Sequence, residues 1–357
     1  MKAKVFRIVP LIACCILAVS LCAVQGLAAS PFAIQKLGAL RGGSSVARAI
    51  IAGQVVGSSG EPQDENKAFI WSAGKLTPLG FLPGGDYSSA QAISRNSYVA
   101  GMANTETNVH AFLWNPRSGM HDLGTLPGDN ASAAFGLNDH REVVGYSSGV
   151  NGIRAAMWTS GGRIQLLGSL PADNFSQAHA INNSGQVVGV SGDGNRQRAF
   201  LWSSKAGMQD LGFLPGDSGS IALAINEAGE IVGTSSGPNG THAFIWTNGS
   251  MRPLGEMAGS PFSQAVDINA AGQVVGVVHT NLGPRAFLWS RERGMQDLNE
   301  MISETDIVLL EALAIDDNGQ IVTLGLEAAD AAHTAEIDHQ AHAGPTSVFV
   351  LTKVGAH

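Results

Sequence analysis

After residue 22 the chain has no cysteine; Cys14, Cys15 and Cys22 are its full complement. This excludes a disulfide framework, a thiolate nucleophile and a cysteine metal site from everything downstream. Charge is sparse as well, at 14% of residues against a usual ~25%. With 44% hydrophobic residues, the chain is no disordered polymer, which would combine low hydrophobicity with high net charge. Heptads and Ala/Glu/Lys/Leu/Arg dominance are missing, so a long coiled coil is excluded. Glycine does not recur at every third position, which excludes collagen. Beyond Val24 no apolar run is long enough to span a bilayer. No His-Glu-x-x-His, Cys-x-x-Cys or phosphate-loop signature occurs.

What is present begins with an address. Lys2, Lys4 and Arg7 precede an uncharged, apolar stretch from Ile8 to Val24, followed by Gly26-Leu27-Ala28-Ala29. This pattern reads as a secretory signal peptide, residues 1–29, cut after Ala28 or Ala29. The bland alternative is an uncleaved anchor. Leu11-Ile12-Ala13-Cys14 resembles a lipidation box but stands too early for a preceding apolar region. Loss of three basic residues takes the net charge from −8 to −11. An acidic exported domain argues against nucleic acid and anionic membrane surfaces as partners. The expected product is a secreted or periplasmic monomer without a membrane anchor.

Glycine is abundant, 45 of 357 residues, and falls at fixed places in a repeat. Trp71, Trp114, Trp158, Trp202, Trp246 and Trp289 are spaced by 43, 44, 44, 44 and 43 residues. A Gly-Gln-Val-Val-Gly-like run ends at Gly57, Gly101, Gly145, Gly189, Gly233 and Gly276, with a weaker copy at residues 319–323. A Leu-Gly pair begins at Leu37, Leu79, Leu123, Leu167, Leu211 and Leu254, with Leu298-Asn299 as the seventh copy. Residues 176–212 show the unit in full: a strand to Ile181, a turn at Asn182 to Gly185, and a β-branched strand from Gln186. A strand ending at Trp202, a turn at Lys205 to Gly207 and a strand to Leu211 follow. Four short antiparallel strands in ~44 residues are the size of one propeller blade.

The ends are offset. Residues 33–38 match only the fourth strand of the unit, and Ser347 to Thr352 match only the third. The sequence therefore predicts an all-β fold over residues 30–357. It is a seven-bladed β-propeller of four-stranded antiparallel blades, closed when the N-terminal strand joins the last blade.

The ordered unit, with its Ala-Phe-Leu-Trp, Gly-Met-Gln-Asp-Leu-Gly and Gly-Gln-Val-Val-Gly segments, resembles the HAF repeat of bacterial extracellular repeat proteins. It is also loosely kelch-like. His110-Ala111-Phe112 and His242-Ala243-Phe244 carry the naming triplet, whereas Lys67, Arg154, Arg198 and Arg285 replace its His elsewhere. The resemblance implies an exported bacterial protein and transfers no catalytic residue.

Most chemical motifs read as turns. Gly145-Tyr146-Ser147-Ser148-Gly149 and Gly233-Thr234-Ser235-Ser236-Gly237 match the nucleophile elbow, but occupy equivalent repeat positions where no helix follows. Ser72 to Lys75 and Asp316 to Gly319 also fall on strand-joining turns. Glu327 to Gly344 is an inserted loop in the last copy. Its His333, His339 and His342 are candidate ligands for a divalent metal, against the plainer reading of a solvated flap; no other cofactor is expected. The ligand-face candidates are repeat-locked: Lys67, His110, Arg154, Arg198, His242 and Arg285, with Asp86, Asp129, Asp173 and Asp217. Their plainer reading is ion pairing between blades and turn capping. The loops that follow the second strands, such as Ser58 to Asn66 and Ser191 to Gln197, vary between copies and share that face. The expected function is binding of an extracellular glycan, cell-envelope component or protein on the variable-loop face. The alternative is a secreted lyase or glycoside hydrolase acting in the central pocket.

Overall fold

The computed structural model describes residues 30–40, 44–60, 66–257, 260–327 and 346–355. Residues 1–29, with the signal-peptide reading, lie outside the described residues. Each repeat folds as one up-and-down antiparallel sheet. Sheets 1 to 6 span residues 44–80, 88–122, 129–168, 175–210, 219–253 and 262–297. In the seventh unit Ile307–Ile315, Ile321–Glu327 and Ser347–Lys353 supply three strands, and the N-terminal strand Phe32–Lys36 pairs antiparallel with the last of them. Sheets 5 and 6 are joined by one parallel pair, Thr241 with Phe262, so seven of their eight strands form one path, with Ser250–Pro253 pairing off it to Gly240–Thr247.

The first strand of every sheet contains a register break, which in sheets 1 to 6 falls beside the repeat glycine. Gly189 pairs with Ala178, and a Cβ at Gly189 would sit 2.0 Å from the Gln177 carbonyl oxygen. Only glycine allows the two backbones to approach so closely. One residue is left unpaired beyond each such contact, which is a β-bulge. Opposite Thr323, which replaces the glycine, the break between Ala312 and Ala314 persists; sheets 3 and 7 each carry a second break, at Asp129/Ala131 and Leu309/Glu311.

Packing runs from sheet to sheet. One apolar cluster bridges each pair of successive sheets, and a further cluster joins sheet 7 to sheet 1 through Val322, Val348 and Val350 against Ala47, Phe69 and Trp71. Every repeat tryptophan packs into the cluster facing the preceding sheet. Trp71, Trp158, Trp202 and Trp289 are buried, and Trp114 and Trp246 are half-buried. The first strands also neighbour one another in a cycle: Ser44–Ile51, Ser88–Ile93, Asp129–Leu137, Phe175–Ile181, Gly219–Ile225, Phe262–Ile268, Ile307–Ile315 and back to Ser44–Ile51. They enclose an axis.

Polar side chains stitch this cycle. Asn138, Asn182, Asn226 and Asn269 each donate from Nδ2 to the backbone carbonyl of the equivalent residue one sheet on, at 3.1–3.2 Å. Asp316 continues the series by accepting from the Gly53 amide at 3.3 Å. Its other oxygen accepts from Asn318 and Gln320, so the calcium-like Asp316 to Gly319 segment is a self-capped turn.

Candidate functional site at the axis

The sequence-predicted ring of ions is present, but its members bond mostly within their own sheets. In sheet 4, Asp173 accepts from Ser191 Oγ at 2.7 Å and pairs with Arg198 at 2.8 Å, while Arg198 also reaches Asp210 at 2.9 Å. Ser191 Oγ in turn accepts the Leu170 amide at 3.0 Å. Sheet 3 repeats this with Asp129, Ser147, Leu126 and Arg154. Sheet 5 repeats it with Asp217, Ser235 and Leu214, and His242 stands 3.8 Å from Asp217. Asp86 is held by Asn104, His110 by Asp122 at 2.7 Å, and Arg285 lies 4.0 Å from Asp297. Lys67 sits over the Phe81 ring. These pairs therefore join groups of one repeat, each of Asp86, Asp129, Asp173 and Asp217 standing on or just before the first strand of the sheet it serves. The elbow-like serines 147 and 235 are fully buried anchors of the segment entering the sheet. Ser191 belongs to a strand, so the variable connection in sheet 4 narrows to residues 193–196.

The side chains that differ among copies stand elsewhere. Aligned on the bulge, the first strands read Ala-Arg-Ala-Ile, Ala-Gln-Ala-Ile, Ala-Phe-Gly-Leu, Ala-His-Ala-Ile, Ala-Leu-Ala-Ile, Ala-Val-Asp-Ile and Ala-Leu-Ala-Ile. The alanine before the bulge is fully buried between sheets in every copy. The unpaired residue after it is Arg48, Gln91, Phe135, His179, Leu223, Val266 or Leu313, exposed or half-buried on the axial strands. One position before the alanine stand Val46, Ser89, Ala133, Gln177, Ile221, Gln264 and Glu311. A column this divergent inside an otherwise constant frame was the available signal, and sequence reasoning passed over it.

The electrostatics of this column are uneven. Burial raises the Glu311 carboxyl above its ordinary range, and Arg48 on the neighbouring strand opposes the rise. Burial pushes Asp267 up to about 6, although Asp267 accepts the amides of Ile315 at 2.9 Å and Ile268 at 2.8 Å. Burial lowers His179, whose Nδ1 donates to the Ala222 carbonyl at 2.8 Å, so the ring is held neutral. Phe135 packs edge-on to it, with centroids 6.1 Å apart.

At the end of the axis carrying the turns between first and second strands, Arg95 of sheet 2 binds Asp139 of sheet 3 at 3.0 Å and Asp317 of sheet 7 at 2.6 Å. It thereby passes over sheet 1, whose corresponding turn is the short Ala52-Gly53. The opposite end carries the connections between second and third strands. These are two-residue turns in sheets 3, 5 and 6. They are longest in sheets 1 and 7, between Gly60 and Lys67 and between Glu327 and Ser347.

His333, His339 and His342 lie outside the described residues. Among the described residues no group of three or more His, Cys, Asp or Glu could hold a metal ion. No helix among them is long and apolar enough to cross a membrane.

No protein-family model and no curated protein matches the chain. Solved structures do. A catalytically inactive virginiamycin B lyase from Staphylococcus aureus, with quinupristin, superposes with a TM-score of 0.58 at 13% identity, over 90% of this chain and 100% of that one. A puromycin-hydrolysing peptidase from Mycobacterium tuberculosis gives 0.56 at 12% identity over 81% of this chain, which spans only 52% of the peptidase. The β-propeller domain of the trilobed protease from Pyrococcus furiosus gives 0.53 at 9% identity over 87% and 93% of the two chains. The chain thus has a β-propeller fold. At these identities the likeness extends to the fold alone.

Proposed function

We propose that this chain is an exported, HAF-repeat β-propeller of seven four-stranded blades, closed by its N-terminal strand, that binds a ligand rather than transforming one. The cycle of first strands and the pairing of Phe32–Lys36 with Ser347–Lys353 support seven blades. The single Thr241–Phe262 pair between sheets 5 and 6 is then a contact between blades. The ligand is a glycan, cell-envelope component or protein outside the cytoplasm, approached from the variable-loop face.

One observation carries the binding reading. The repeat-locked ions are mostly engaged within their own sheets, whereas Arg48 and Glu311 break the repeat on adjacent axial strands. Those strands belong to the two sheets with the longest second-to-third connections. Arg95 bridges the other end of the axis, so approach from the loop end is favoured. A hydrolase would need two available carboxylates. On the described axial strands Asp129 is paired with Arg154 and Ser147, and both Asp267 oxygens hold backbone amides, which leaves Glu311 alone.

The test is a screen of the chain lacking residues 1–29 against glycan and envelope-component arrays, repeated with Arg48→Ala and Glu311→Gln. Each variant should weaken a confirmed hit about tenfold or more, the scale of one lost charged contact. Undiminished binding by a folded double variant would move the site off the axis.

A further inference from the structure

At the end of the molecule opposite the variable loops, residues of sheets 6 and 7 and the N-terminal strand line a cleft of about 650 Å³. This lies within the ~300–1,000 Å³ of ordinary ligand sites. Its floor is apolar: Phe32 of the N-terminal strand, Leu288 and Met301. Phe32 and Leu288 are only 2% and 5% exposed, so the floor is sealed and nothing threads between the sheets.

The walls are cationic. Arg291 and Arg293 lie on the turn before the last strand of sheet 6, and Lys353 ends the third strand of sheet 7. Arg291 is tied to Glu230. Among the described residues, the side chains of Arg293 and Lys353 make no hydrogen bond or ion pair. Glu292 on the same turn is held below the usual carboxylate range by its own backbone amide, Ser290 and the two flanking arginines. Arg293, beside Glu292, and Lys353, whose Nζ lies against the Gly319 turn, thus line one cleft from sheets 6 and 7 in a chain of net charge −8. Gln273 and Gln296 add amide groups between them.

We propose that this cleft is a second binding site, separate from the axis, that takes an acidic oligosaccharide. Its carboxylates meet Arg293 and Lys353, and its hydroxyls meet Gln273 and Gln296. Arginine supplies the planar fork that a carboxylate accepts in two bonds. A peptide adding as a further strand fits less well, because the N-terminal strand is already bridged on its free side by Phe32 to Ile302. The sealed floor leaves no room for an acyl chain and suits a ligand that lies along the cleft.

The experiment is titration calorimetry on the chain lacking residues 1–29, with an oligogalacturonate, a neutral galactose oligomer of equal length and inorganic sulfate as probes. The oligogalacturonate should bind, with affinity falling as salt rises, and the neutral oligomer should bind at least about tenfold more weakly. The Arg293→Ala, Lys353→Ala double variant should lose the acidic oligomer while its unfolding midpoint stays put. Arg48→Ala should leave this binding unchanged; loss there instead would place the acidic ligand on the axis and overturn the cleft. Failure of the acidic oligomer to bind, equal binding of the neutral one, or sulfate competing as well as the oligomer would each overturn the proposal.

Discussion

Deleting residues 31–38 tests the closure of the ring, because this strand serves two interfaces at once. Phe32, 2% exposed, packs with Leu298, Leu309 and Phe349 in the cluster between sheets 6 and 7. Leu37, 4% exposed, packs with Trp71, Val348 and Val350 between sheets 7 and 1. Burial of a Phe or Leu side chain is worth ~1.5–3 kcal/mol, so the two together supply ~3–6 kcal/mol. Phe32→Ala alone should cost ~3–5 kcal/mol and Leu37→Ala ~2–5 kcal/mol, since each leaves a cavity in a packed cluster. The two sites are roughly 16 Å apart along an extended strand, so their costs should add. Against a typical total of ~5–15 kcal/mol, the deletion removes a large share of stability and bares the outer edge of Ser347–Lys353. Urea unfolding followed by tryptophan fluorescence measures the loss, and a peptide of residues 30–38 added in trans should restore the midpoint in proportion to its concentration. A deletion variant with an unchanged midpoint that remains monodisperse would refute closure by this strand.

Two further outcomes follow from the packing. Trp202, 5% exposed among Met157, Leu167 and Phe200, should cost ~3–5 kcal/mol on replacement by Ala; intact stability with lost ligand binding would make it a stacking surface instead. Asp267 has an ordinary pKa of 3.8 pushed to about 6 in the fold, so between these values the native state binds more protons than the unfolded chain. Stability should therefore fall as pH rises through that window, by up to about 3 kcal/mol, and level off above it. Asp267→Asn should flatten the slope in urea midpoints across the window, and an identical profile would show that Asp267 does not titrate there.

The architecture was legible because every level of the repeat agreed. The Asn182 to Gly185 turn, the Gly189 contact and the Trp202 position each recur at one spacing, so a misreading in one copy is corrected by its neighbours. The offset between Ala33 and Thr352 was enough to predict the N-terminal pairing. The site was harder for the same reason. A column such as Arg48, Gln91, Phe135 and His179 looks like noise inside a strand, until the register break shows that each of these residues has no cross-strand partner. The polar stretch Ser191 to Gln197 reads as a loop after the β-branched run, whereas the Ser191 hydroxyl lies in the strand, accepting the Leu170 amide and donating to Asp173. The pairing of Arg198 with Asp173 inside one sheet depended on strand lengths that composition does not specify.

Symmetry itself supplies the remaining step. A side chain that recurs in every blade does the same structural work in each, and a ligand without matching symmetry cannot select among identical sites. The proposed recognition therefore rests on departures from the repeat. These concentrate around sheet 7: Thr323 replaces the glycine, Glu311 faces Arg48, and Asp317 receives Arg95 from beyond sheet 1. Beside it, the turn Leu298–Met301 replaces the Leu-Gly segment and borders the cationic cleft. The unit assembled from both ends of the chain is also the one least constrained by the repeat. It keeps its place in the stitched cycle through Asp316 in place of Asn, and both the axial pair and the cleft lie against it.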